Sequence, residues 1–192
     1  MNVTASHKIF TVEEYTQHEW TAPFRSEFID EQLFEMSGQK DINNQIAGNF
    51  IYSLFSTELI SKGYSIYAFD IKVKIYEENK YYYPEVFVTK EPKTEDNQYI
   101  KYEPLLIAEI VSEESHVNDY ESHVNDYVNK YIDYTKIPSL DYYLIIEPET
   151  TLIVCYWKGQ NGEWTATKYT NPEDVIKLDA FNISFPVTQI YS

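Results

Sequence analysis

Seven consecutive residues, Leu105-Leu106-Ile107-Ala108-Glu109-Ile110-Val111, are apolar except for one glutamate. Such a run suits a central strand covered on both faces, so the chain must supply further layers on either side. The exception constrains as much as the run. A carboxylate inside a buried strand must be paired, protonated or metal-bound, because desolvating it costs on the order of several kcal/mol. Glu109 is therefore the first candidate for chemistry.

The flanking sequence provides the layers. Thr11-Val12-Glu13-Glu14 has the form of a capping box and starts a short helix. Glu27 to Asp30 and Leu33 to Met36 alternate apolar and polar residues, which predicts a strand or hairpin leading into Ser37-Gly38. Ile42, Ile46, Phe50, Leu54 and Leu59 recur every four or five residues, and Gly63 closes the run, so a long second helix is expected. Tyr64 to Ile75 and Tyr83 to Val88 are rich in β-branched and aromatic residues around a polar Glu77 to Lys80 turn, predicting two antiparallel strands. After the Glu109 strand come a helical stretch to about Lys136, a break at Pro138, and strands at Tyr142 to Ile146, Leu152 to Trp157 and Trp164 to Tyr169. The pattern is that of a mixed α/β fold, expected as one domain over residues 1–192.

Only one cysteine, Cys155, is present, and its neighbours Val154 and Tyr156 predict a strand interior rather than a nucleophile. An internal disulfide is excluded. No segment approaches the ~20 apolar residues that span a bilayer, and no leader is visible, so a cytoplasmic protein without membrane contact is expected. The formal net charge of −16 is unfavourable for a nucleic-acid binder, whose non-specific affinity comes from Lys and Arg on phosphates. Metal ions can still grip a phosphate locally in an acidic protein.

Hydrolysis of a phosphodiester near neutral pH generally uses divalent cations, which choose carboxylate oxygens. Glu85, after Pro84 at a strand start, and Glu109 are placed to project to one side of a sheet. Lys130, on the helix after the Glu109 strand, could orient an attacking water or stabilise charge on phosphorus. Alone, Glu85 reads as a solvated edge residue and Lys130 as a solvated helix residue. His116 and His123 make a poor rival pair, because two helical turns place them too far apart to ligate one ion.

In order along the chain, several segments resemble the Uma-two family of restriction-endonuclease-like proteins, within the PD-(D/E)XK nuclease superfamily. Thr11-Val12-Glu13-Glu14-Tyr15 looks like the family's opening, Glu27-Phe28-Ile29-Asp30 is similar to its Tyr-Glu-Leu-Ile-Asp segment, and Ile46-Ala47-Gly48-Asn49 to its long helix. Tyr82-Tyr83-Pro84-Glu85-Val86 resembles Tyr-Tyr-Pro-Asp-Val, and Ala108-Glu109-Ile110-Val111-Ser112 resembles Val-Glu-Val-Leu-Ser. Lys130-Tyr131-Ile132-Asp133-Tyr134 and Ile137-Pro138-Ser139-Leu140 complete the series. The resemblance implies a restriction-endonuclease-like fold, a central mixed sheet flanked by helices, and metal-dependent cleavage of DNA. It implies Mg²⁺ or Mn²⁺ on Glu85 and Glu109, Lys130 as the catalytic lysine, Glu27 as a further catalytic residue and Asp70 as a structural one. A homodimer is also suggested.

The departures bear on activity. Glu85 stands where the family has aspartate, moving the carboxylate about one methylene outward. Glu31-Gln32 replaces a Gly-Glu pair, Asn43 a common histidine, and Glu113-Glu114 a Pro-Ser pair. Glu114-Ser115-His116-Val117-Asn118-Asp119-Tyr120 is repeated without change as 121–127, between Glu109 and Lys130. Seven extra residues turn a helix by about 700° and lengthen it by about 10.5 Å, so a face is kept while a lysine beyond can be displaced. The competing expectation is a catalytically silent fold acting as an acidic binding or dimerisation module, with the aromatic stretch Leu152 to Tyr169 as its interface.

Overall fold

The computed structural model describes residues 9–36, 38–75, 77–111 and 128–192. Helix α1, Val12–Thr21, starts at Thr11, where the capping box forms in full: the hydroxyl accepts from the Glu14 amide at 3.1 Å and the Glu14 carboxylate accepts from the Thr11 amide at 2.9 Å. Strands β1, Ser26–Ile29, and β2, Gln32–Glu35, form the expected hairpin. Its two turn residues, Asp30 and Glu31, both have positive φ, 49° and 67°. That is the twist a two-residue hairpin requires, and Glu31 occupies it without the freedom of glycine.

Helix α2, Asp41–Phe55, buries Ile46, Phe50 and Leu54. The expected run to Gly63 is corrected: residues 56–63 are turns, and Leu59 reaches the core from one of them. Ser56 and Thr57 direct their hydroxyls to the carbonyls of Tyr52 and Leu54, which competes with continuing the helix. Gly63, with φ of 82°, ends the turns rather than the helix.

Of the two antiparallel strands expected around Glu77 to Lys80, the first, Tyr64 to Ile75, is divided into β3, Ser65–Ala68, and β4, Lys72–Lys74. The second, Tyr83 to Val88, is shortened to β6, Val86–Thr89, with a further short strand, β5, Tyr81–Tyr82, ahead of it. β3 pairs with β6, whereas β4 pairs with β5. The halves belong to different sheets, in the orders β2-β1-β5-β4-β7 and β11-β10-β9-β8-β6-β3. Here β7 is Ile100–Lys101, β8 Pro104–Ile110, β9 Tyr142–Glu147, β10 Leu152–Lys158 and β11 Trp164–Tyr169. Both sheets are mixed, since β4–β7 and β8–β9 pair in parallel. The chain crosses between them at Phe69, a bulky residue with φ of 62°, and at Tyr83 to Glu85. Positive φ on such a residue is strained, and the strain lies beside the crossing that carries Glu85.

Strand β8 is central, as its composition required. Leu106, Ala108 and Ile110 face α2 and the C-terminal segment, while Ile107 faces Tyr134, Tyr143 and the helical residues 128–134, here α3. Helices thus flank the six-stranded sheet. The C-terminal hairpin β12, Val175–Leu178, with β13, Ile183–Pro186, was not foreseen; it closes the α2 side with Ile176, Leu178 and Phe185. Cys155 lies inside β10, where burial pushes its thiol up to about 12, consistent with the strand reading. Among the described residues no helix is long and apolar enough to cross a membrane. The duplicated heptad and the two histidines lie outside the described residues.

Glu31→Gly should stabilise the protein by about 1 kcal/mol, because only glycine meets the second positive φ without steric cost. Urea unfolding at neutral pH measures it, and unchanged or lower stability would refute the strain assigned to the turn.

Candidate functional site

Strand parity decides where the two glutamates point. Val86 pairs with Ala108 across β6 and β8, and both face the α2 side. One residue further, Glu85 and Glu109 become neighbours and turn to the opposite face, toward α3, as Phe87 and Ile107 do. Both are buried, 7% and 3% exposed. Glu27 enters the same space from β1 in the other sheet, and Lys130 from α3. The four residues singled out from the sequence therefore meet where the two sheets part.

Lys130 joins them. Its Nζ lies 3.1 Å from Glu27 Oε1 and 3.5 Å from Glu109 Oε1, and 5.5 Å from the centre of the Tyr82 ring. The Tyr134 hydroxyl donates to Glu109 Oε1 at 2.8 Å, and the Tyr83 amide donates to Glu27 Oε1 at 3.3 Å. Gln39 donates its side-chain amide to Glu85. Two carboxylates thus share one ammonium with a third, Glu85, beside them, and the imbalance shows in the protonation of Glu109 and Glu85. Burial pushes Glu109 up to about 7; Lys130 opposes this, while Glu85 and Glu27 add to it. Burial also raises Glu85, against the pull of Gln39, Lys130 and Arg25.

A second buried network sets the lysine's helix. Asp133 accepts from Lys80 at 3.0 Å, from Tyr82 at 2.7 Å and from Lys136 at 2.9 Å. Burial alone would raise Asp133, yet these donors hold it below the usual carboxylate range. Asp133 lies one helical turn from Lys130, so the network ties α3 to the β4–β5 hairpin and fixes the direction of Lys130. Asn43, 1% exposed, donates to the Val111 carbonyl at 2.9 Å and secures the end of β8. Asp70 is largely exposed and pairs with Arg25 at 2.8 Å.

Sequence reasoning missed Tyr134, Gln39, Asp133 and Arg25. Tyr134 alone carried a signal: a tyrosine one turn after Lys130 shares its helix face. The other three are polar residues whose sequence neighbours do not distinguish them from solvated side chains.

The donor set suits a hard divalent cation that takes one or two carboxylates and keeps several waters. Glu85 and Glu109 stand side by side with excess negative charge. Among the described residues no three His, Cys, Asp or Glu side chains are grouped to hold a metal by themselves, so an all-protein cage is not what these residues form.

The Uma2 family, described as "Putative restriction endonuclease", matches residues 12–188. "Uncharacterized protein sll1609" of Synechocystis is 32% identical over 185 residues, covering 95% of this chain and 100% of the relative. "Uncharacterized protein slr1290" of the same organism is 28% identical over 180 residues, covering 93% and 90%. A crystal structure from Anabaena variabilis, described as "a putative nuclease belonging to DUF820", aligns with a TM-score of 0.69 at 11% identity, over 95% of this chain and 97% of that one. At that identity the likeness establishes the fold, which is of the restriction-endonuclease-like type.

Because folded Glu109 titrates near 7 and the unfolded group near 4.5, the metal-free folded state holds a proton that the unfolded chain has released. Its contribution is most favourable at low pH and is lost as pH rises through about 7. Between about pH 5 and pH 8 in chelator this should cost the wild type up to ~3 kcal/mol, and Glu109→Gln, which still accepts from Tyr134, should remove that slope. Urea unfolding at the two pH values checks it; parallel curves for the two proteins would contradict the burial of a titrating Glu109.

Proposed function

The chain belongs to the Uma2 family, described as "Putative restriction endonuclease", and from that premise we propose that it is a divalent-metal-dependent endonuclease hydrolysing DNA phosphodiester bonds. One observation carries the reading. An otherwise apolar sheet interior holds Glu109 beside Glu85, with Lys130 3.5 Å from Glu109 and 3.1 Å from Glu27. A purely structural core gains little from three carboxylates around one lysine, since a hydrophobic replacement is commonly neutral or stabilising.

Glu85 and Glu109 would hold Mg²⁺ or Mn²⁺. The bound ion supplies charge to offset that developing on the phosphate and lowers the pKa of a coordinated water. Lys130 presents an ammonium to the same space, where it can orient the attacking water or stabilise the phosphoryl oxygens. Glu27 holds that ammonium, and the Asp133 network holds the helix, so Lys130 is positioned before substrate arrives. Tyr134 keeps one Glu109 oxygen in place. Gln39 donates to the Glu85 carboxylate and restrains its longer side chain. The fit of Lys130 in the chain that carries the duplication supports activity in the intact protein.

Supercoiled plasmid at low salt with Mg²⁺ or Mn²⁺ should be nicked by the wild type. Glu109→Ala should abolish nicking, and Lys130→Ala should reduce it at least about 100-fold. Deleting residues 121–127 should leave the rate within about threefold, because Lys130 already meets Glu109. Absence of metal-dependent nicking by a folded wild type and by the shortened variant would refute the enzyme and leave the silent binding module.

A further inference from the structure

We propose that the site takes an unpaired nucleic-acid strand, gripped by Arg25 on a phosphate and by the exposed rings of Trp20, Phe24 and Tyr99 against its bases. The inference rests on the nuclease reading for its chemistry, but its test is one of binding. Duplex recognition draws its affinity from several lysines and arginines on the phosphates. This chain has 15 such residues against 31 acidic ones. Lys130 is already engaged by two carboxylates.

Arg25 is differently placed. Its guanidinium lies 5.7 Å from the centre of the Tyr83 ring and donates to the carbonyl of Phe69, whose own amide donates to the Glu85 carbonyl at 3.3 Å. It therefore stands at the strained crossing that positions Glu85. Its ionic partner, Asp70, is 78% exposed. A surface pair of this kind is weak and screened by salt, so a phosphate oxygen can replace the Asp70 carboxylate at little cost.

Two of the rings meet at the surface. Trp20, Phe24 and Tyr99 are 66%, 62% and 55% exposed, and Trp20 meets Tyr99 edge-on at 5.0 Å between centroids. Phe24 immediately precedes Arg25. Glu19, beside Trp20, accepts from the Ser26 amide at 3.0 Å and from the Tyr83 hydroxyl, and pairs with Lys72 at 3.6 Å. The Lys72 amide in turn donates to the Tyr99 carbonyl at 3.0 Å. The groups that buttress β1 and Tyr83 thus also carry the rings. In a duplex the base faces are hidden in the stack, whereas an unpaired strand offers them to aromatic side chains, adding stacking affinity to whatever the phosphate contacts supply. Tyr52 and Phe55 are exposed at the end of α2, whose buried residues cover the other face of the six-stranded sheet, and serve as a control.

Fluorescence anisotropy with labelled oligothymidylate and a duplex, each about 20 nucleotides long, tests the proposal in Ca²⁺, with strand integrity checked on a gel. The strand should bind at least about tenfold tighter than the duplex, and Trp20→Ala and Phe24→Ala should each weaken it roughly tenfold. Arg25→Gln should weaken it and reduce the slope of log affinity on log salt by about 0.7. Tyr52→Ala should change nothing, and matching thermal unfolding would exclude misfolding of these exposed variants. Equal or tighter duplex binding, ring variants that bind as the wild type does, or no binding of either polymer overturns the proposal. So does a dimer that Trp20→Ala dissolves in sedimentation while oligonucleotide binding persists, which would make the face an interface between copies. Plasmid nicking with a duplex preference sinks this inference alone; ring-dependent strand binding without cleavage under any metal sinks the nuclease reading alone.

Discussion

The contact of Lys130 with Glu109, in an interior that is otherwise apolar, is the interaction on which the site's arrangement depends. Neither charge can be left alone at that depth. The ammonium therefore fixes where α3 lies against the six-stranded sheet, and the Asp133 network repeats the constraint one turn later. Glu27 extends it to the other sheet. Removing Lys130 would leave three carboxylates facing one another, and removing Glu109 would leave the lysine to Glu27.

The division of one hairpin between two sheets brings carboxylates from both sheets to the site: Glu27 from β1 and Glu109 from β8. Had residues 64–75 and 81–89 stayed in one sheet, Glu85 would have continued a regular ladder. The turn at Phe69 instead breaks the ladder and sends β5 to pair with β1 and β4 with β7. Glu85 lies at the crossing between β5 and β6. The same break brings Arg25 over Tyr83, joining the surface loop after α1 to the buried carboxylates.

What could be seen in the sequence follows from burial and local spacing. Glu109 was legible because it interrupts a strand-length apolar run, and Thr11 to Glu14 because a capping box is local. The end of α2 was not legible from apolar spacing, since Leu59 is as buried as Leu54 although it lies on a turn. The split hairpin was hidden because β3 and β4 lie within one continuous β-prone run, residues 64–75, and only pairing distinguishes their sheets. β12 and β13 escaped notice because four-residue strands with one or two core side chains give little periodicity. The resemblance supplied Glu27, whose sequence neighbours alone would leave it an exposed strand residue. Tyr134 and Gln39 depended on the folded geometry, because each is defined by the carboxylate it reaches.

The central claim is that these carboxylates are assembled for a divalent cation rather than for the stability of the core. Calorimetric titration with Mn²⁺ at pH 7 tests it most directly. With Glu109 pushed up to about 7 by burial, the account predicts one ion per chain, net proton release on binding as Glu109 gives up its proton, and loss of both in Glu109→Gln and Glu85→Gln. Heat and proton release that persist unchanged in both variants, or no binding by the wild type, would contradict it.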